Sequence, residues 1–150
     1  MPANNNSRWG KRLISLAVLL MLVAVRLNES RWFPEKLIDF FGKDLYPDNP
    51  LPALGFTDYI SLLLRYLTNS ILSIVFLHIW FGNEQITRFL IKFFIAIGII
   101  MFLLFGIAVY TYQPGQYLSL FYIRRLIIQP VWLFILFPII FYLENRKNGR

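Results

Sequence analysis

The residues able to do chemistry in this chain are few and unevenly placed. Arg65 and Asn69 stand four apart, and so do Arg125 and Gln129, with Arg124 alongside. At helical spacing each such pair shares a face. Arginine is always charged, and its planar fork grips a carboxylate or phosphate with two hydrogen bonds. Arg65, Asn69, Arg124, Arg125 and Gln129 therefore form a candidate anion-binding set. Asp58, seven residues before Arg65, is the candidate counter-ion. Proton transfer and nucleophilic attack have less to draw on. The chain has no cysteine and a single histidine, His78. A nucleophile needs a base beside it, and a metal needs several ligands at set spacings. Neither pattern occurs, so no catalytic residue, metal or cofactor is expected.

The elements that must hold these side chains are membrane-spanning helices. Of 150 residues, 57% are apolar and 15% charged, where soluble domains carry about 25% charged residues. Mean hydropathy is +0.56. A soluble globular domain, a disordered chain and a fibrous repeat are all poor fits to that composition. The net charge of +7 would suggest nucleic acid in a soluble protein. Here the basic residues flank apolar runs, which points to orientation in a bilayer, and no nucleic-acid partner is expected.

Four apolar segments predict helices at about 12–28, 59–81, 89–112 and 117–143. The last three are long enough for a hydrocarbon core of about 30 Å. The first is short, and reaches further if Lys11, Arg12 and Arg26 snorkel and Trp9 sits among headgroups. Leu22-Val23-Ala24 is a poor cleavage site, so the segment is read as an uncleaved anchor. The expected fold is an all-α membrane protein of one domain, 1–150, a four-transmembrane-helix bundle.

With four crossings, Arg8, Lys11, Arg12, Arg88, Lys92, Arg146, Lys147 and Arg150 fall on one side. The positive-inside rule makes that side cytoplasmic, with both termini there and the protein in the inner membrane. The other side carries the 29–58 loop, with Glu29, Glu35, Asp39, Asp44, Asp48 and Asp58. Within it, residues 31–42 read as a short amphipathic helix lying on the outer interface. Pro34 suits its first turn and Gly42 its end, and Leu37, Phe40 and Phe41 share a face.

Charge at membrane depth is costly, about 2.5–3.5 kcal/mol for an arginine at a helix centre on insertion scales. Arg65 lies six residues from Tyr59 and Arg124 seven from Tyr117. Both are thus about 9–10 Å below the helix starts, and Arg26 comes near the same level. Pro130 and Pro138 should kink the last helix, freeing the carbonyls of Leu126 and Phe134. Gly98 and Gly106 share a face of the third helix and permit close approach.

Two stretches carry a likeness to a known family: Arg65-Tyr66-Leu67-Thr68-Asn69-Ser70 and Phe121-Tyr122-Ile123-Arg124-Arg125-Leu126-Ile127-Ile128-Gln129-Pro130. With the four-helix layout and acidic outer loop, the chain resembles the exosortase F system-associated membrane proteins of Bacteroidetes. Exosortases process proteins bearing a C-terminal sorting helix and use Cys, Arg and His near the outer face. Lacking cysteine, this chain does not look like the sortase itself. The resemblance implies a non-enzymatic accessory of protein sorting, contacting the exosortase or its substrate's sorting helix through the arginines. The alternative is a small transporter or lipid-binding protein with a cationic pocket for an anionic ligand.

Overall fold

A computed structural model describes residues 5–33, 36–43 and 50–148, with side chains over 9–28, 31–33, 36–41 and 50–146. Pro34, Glu35, Asp44, Asp48 and Arg150 lie outside the described residues, as do the side chains of Arg8, Glu29 and Lys147.

The described residues are helical, with no strand among them: α1 (Asn5–Leu27), α2 (Glu29–Trp32), α3 (Lys36–Lys43), α4 (Phe56–Phe81), α5 (Glu84–Tyr110), α6 (Tyr117–Ile128) and α7 (Val131–Asn148). Two of them, α4 and α5, are long and apolar enough to cross a membrane, and α6 with α7 makes a third candidate as one broken span. The first helix falls short because Arg8, Lys11, Arg12 and Arg26 crowd its ends. Its uncharged stretch, residues 13–25, is about 20 Å long.

The distribution of side chains is inverted relative to a soluble bundle. Asp58, Ser61, Arg65, Asn69, Ser70 and Ser73 of α4 are buried, while Ile60, Leu63, Leu64, Leu67, Ile71 and Val75 of the same helix are exposed. The outward side of α5 is also a large apolar surface, with Ile95, Ile99, Leu103 and Ile107 exposed. An apolar surface of that extent requires a nonaqueous neighbour, and polar groups turned inward are the arrangement a bilayer favours. The molecule is built for lipid.

α4 is the central element, packed against α1, α5, α6 and α7. It starts at Gly55, whose N–H donates to Asp58 Oδ2 (2.8 Å). It ends at Gly82, where φ is +64° and the cap N–H donates to the His78 carbonyl. That left-handed position closes a helix at little cost only with glycine. Asn83 then caps α5, its side chain accepting from Gln85 N (2.9 Å). The third helix therefore begins at Glu84, five residues before the hydropathy pattern places it.

The α4–α5 seam is locked by Tyr66, whose hydroxyl donates to the Phe94 carbonyl at 2.5 Å. Its ring lies over Gly98, where a Cβ would stand 2.7 Å from Tyr66 Cε1. Gly98 thus permits the expected close approach. Gly106 does not serve it, since nothing stands within 4 Å of its would-be Cβ.

The last predicted helix is broken rather than kinked. α6 stops at Ile128 and α7 starts at Val131, 56° away. Gln129 is extended (φ −97°, ψ 143°), as the residue before a proline is pushed to be. Pro138, by contrast, is carried inside α7.

In the 29–58 loop, the single helix expected over 31–42 is two helices, α2 and α3. Nor does α3 simply rest on an interface. Leu37 is fully buried, Phe41 packs edge-on to Phe121 of α6 (5.3 Å), and Phe40 packs edge-on to Tyr112 (6.3 Å). The loop closes one end of the bundle.

Candidate functional site

The site grows from the inward face of α4. Asp58, Ser61, Arg65, Asn69 and Ser73 recur every three or four residues, so they form a continuous buried polar stripe. Arg65 is 1% exposed, at the centre of that stripe. Arg124, from α6, is also inward and 6% exposed. Each guanidinium has an aromatic ring of the loop over it. Arg65 Cζ lies 5.8 Å from the Phe33 ring centroid, and Arg124 Cζ lies 5.8 Å from that of Phe41. A guanidinium is weakly hydrated for a cation and stacks well on aromatic faces, with an attraction of about 0.5–2 kcal/mol, larger when desolvated. The loop thus roofs both arginines.

Asp58 does not serve as the ion-pair partner the sequence suggested for Arg65. Its carboxylate accepts from the backbone N–H of Lys36 through Oδ1 (3.0 Å) and of Gly55 through Oδ2 (2.8 Å). The first bond caps α3 and the second caps α4, so one buried carboxylate ties the roof to the bundle. Within the roof itself, the Lys36 ammonium donates to the Ala53 carbonyl (2.7 Å).

Arg125 separates from the set. It is exposed while its neighbour Arg124 is buried, because successive residues of a helix point about 100° apart. The shared face expected for Arg125 and Gln129 is absent, since Gln129 has left the helix. Gln129 instead turns, half-buried, into the same cavity as Arg65 and Asn69.

Asn69 meets the helix break. Its Nδ2 donates to the Ile128 carbonyl at 2.6 Å. A helix end leaves carbonyls without partners, and in lipid each such group costs several kcal/mol unless satisfied inside the protein. The Arg125 carbonyl is taken by Gln129 N (3.0 Å) and the Pro130 carbonyl by Leu133 N (3.1 Å). Asn69 supplies what the backbone cannot.

Beside the break, between α1, α4 and α7, lies a cavity of about 560 Å³. Its polar lining is Arg26, Arg65, Asn69 and Gln129, and its remaining walls are apolar. The chemistry gathered here is guanidinium and amide: donors that hold and orient an anion, with no group suited to moving a proton. Of these residues, the sequence reading names Arg65, Asn69 and Gln129, the last through a shared face with Arg125 that the helix break removes. The serines of the stripe carry the same period and were open to the same reading, whereas Phe33 and Phe41 gave no signal of their contact with the arginines.

The opposite end is plainer. His78 Nδ1 pairs with Thr87 Oγ1 (2.8 Å), Asn83 Nδ2 donates to Glu144 Oε1 (3.1 Å), and Arg88 pairs with Glu84 (3.4 Å) at the surface. Among the described residues no cluster of three or more His, Asp or Glu side chains forms a metal site.

No family model, curated protein or solved structure matches the chain.

Proposed function

We propose that this chain is a non-enzymatic, multi-pass inner-membrane accessory of an exosortase-type protein-sorting system. Its helices form four crossings with both termini cytoplasmic, α1 completing its span by snorkelling of Lys11, Arg12 and Arg26. The 29–58 loop and the arginines then face outward, where sorting takes place. One observation carries the reading beyond the resemblance itself. The two stretches that bear the likeness are far apart in the chain, yet Asn69 of one is bonded to Ile128 of the other. A likeness confined to segments that meet at one polar site is what a shared recognition function would leave. Arg125, exposed on α6 beside that junction, is the residue placed to reach a partner's carboxylate.

The test is co-purification of the tagged chain in mild detergent from its native membrane. An exosortase should be enriched, and deletion of the chain should impair surface sorting. No enrichment together with normal sorting ends the proposal. Arg125→Glu should weaken the association by about tenfold, the loss of one charge-assisted contact, while insertion stays intact. An unchanged complex removes Arg125 from the interface.

A further inference from the structure

The cavity beside the helix break has two unlike halves. α1 and α4 run antiparallel, with Lys11 Nζ reaching the site of a Cβ on Gly82 (4.0 Å). An equal number of residues on from that pair, Arg26 falls level with Leu67, within one turn of both Arg65 and Asn69. The cationic lining is therefore concentrated toward the loop end. Away from it, the walls are Leu19, Leu22 and Val23 of α1 and Phe134 of α7. The walls continue into the lipid-facing surface, since Leu20, Val23, Ile71 and Phe134 are exposed.

We infer that this cavity is a binding site for a single anionic phospholipid drawn from the surrounding bilayer, its phosphate held at Arg26 and Arg65 and one acyl chain laid along Leu19, Leu22, Val23 and Phe134. Three physical points select this occupant. Arginine matches phosphate oxygens with paired donors, and does so more strongly in a desolvated setting. The volume lies within the range of small-molecule sites, about 300–1,000 Å³. A free anion would contact only the cationic half, leaving the apolar half unexplained, whereas a lipid is complementary to both. Gln129 and Asn69 stand in the same lining, so the broken helix forms a wall of the site.

The test uses the full chain reconstituted in phosphatidylcholine vesicles with and without phosphatidylglycerol, then extracted in mild detergent for native mass spectrometry. The wild type should retain one phosphatidylglycerol and no phosphatidylcholine, and inorganic phosphate should not displace it. Arg26→Gln, at an exposed helix end, should reduce retention by about tenfold, as expected for one charge-assisted contact. Val23→Trp fills the groove from the lipid side and leaves both arginines in place. It should abolish retention without altering insertion. Equal retention of the two lipids overturns the inference, as does phosphatidylglycerol bound undiminished by both variants. Displacement by inorganic phosphate would mean an anion site with no lipid tail. A partner's helix filling the groove to the exclusion of lipid overturns it as well. None of these outcomes depends on an exosortase being present.

Discussion

At the loop end of the bundle, Asp58, Arg65 and Arg124 are buried, and each is engaged by backbone or aromatic groups from a different element. At the opposite end, Arg88 and Glu84 pair with side chains 77% and 81% exposed, and His78 meets Thr87 at the surface. Both ends carry charge, but only one takes it inside. Exposed charges cost almost nothing to keep, and their pairs return little. Buried ones are expensive, and persist where geometry holds them or function requires them. The contrast locates the specialised end of the molecule without any appeal to relatives. It also separates two uses of a carboxylate: Asp58 organises backbone, while Glu84 decorates a helix.

The contrast is broken most severely at Asp58. Asp58→Ala removes the acceptor for Lys36 N and Gly55 N together. Hydrogen bonds to a charged group contribute about 1.5–3 kcal/mol each, so a loss of about 3 kcal/mol or more is expected. Thermal unfolding in detergent should shift down, and the 29–58 loop should become open to protease. Asp58→Asn keeps one acceptor oxygen and should lose about half as much. If Asp58→Ala unfolds with the parent and its loop resists protease, the carboxylate is not the clamp described.

Asn69→Ala comes next. It leaves the Ile128 carbonyl without its donor at a break where the backbone offers none. An orphaned buried acceptor costs about 1–3 kcal/mol, together with the volume lost around it. The expected signature is local: faster hydrogen exchange in the last turn of α6 and the first of α7, with α5 unchanged. A uniform change along all helices would mean that Asn69 supports the bundle rather than the break.

These two residues also mark where sequence reading succeeds and fails. Long apolar runs disclosed α4, α5 and the combined extent of α6 and α7, because hydropathy responds to length and composition. It does not respond to direction, so the 56° bend was hidden. The dipeptide Gln129-Pro130 held the information, since proline restricts the residue before it. Whether the chain can stop there depends on donors for the last carbonyls of the helix, and the Ile128 carbonyl finds its donor on α4. The same failure explains Arg125 and Gln129. Four-residue spacing implies a common face only while both residues are helical, and Gln129 is not. Choosing between Arg124 and Arg125 as the inward residue needs the packing of α6, which the chain's local pattern leaves open. Arg65 and Asn69 were legible because α4 is unbroken and its polar stripe keeps helical period. The covering of Arg65 by Phe33 and of Arg124 by Phe41 is a long-range contact with no local signature.

The smallest effect belongs to the opposite end, and its smallness is the point. Glu84→Gln removes an exposed i,i+4 ion pair. Such pairs contribute about 0.3–0.5 kcal/mol and are screened by salt. Glu84 also stands in the first turn of α5, where a negative charge favours the helix dipole by a similar amount. The unfolding temperature should therefore fall only slightly, and the difference from the parent should shrink as salt is raised. Asp58→Ala should keep its deficit across the same salt range, because its two bonds are formed inside the protein. If Glu84→Gln instead matched Asp58→Ala in size and salt response, the two ends would be energetically alike. Burial at the loop end would then no longer single out the site.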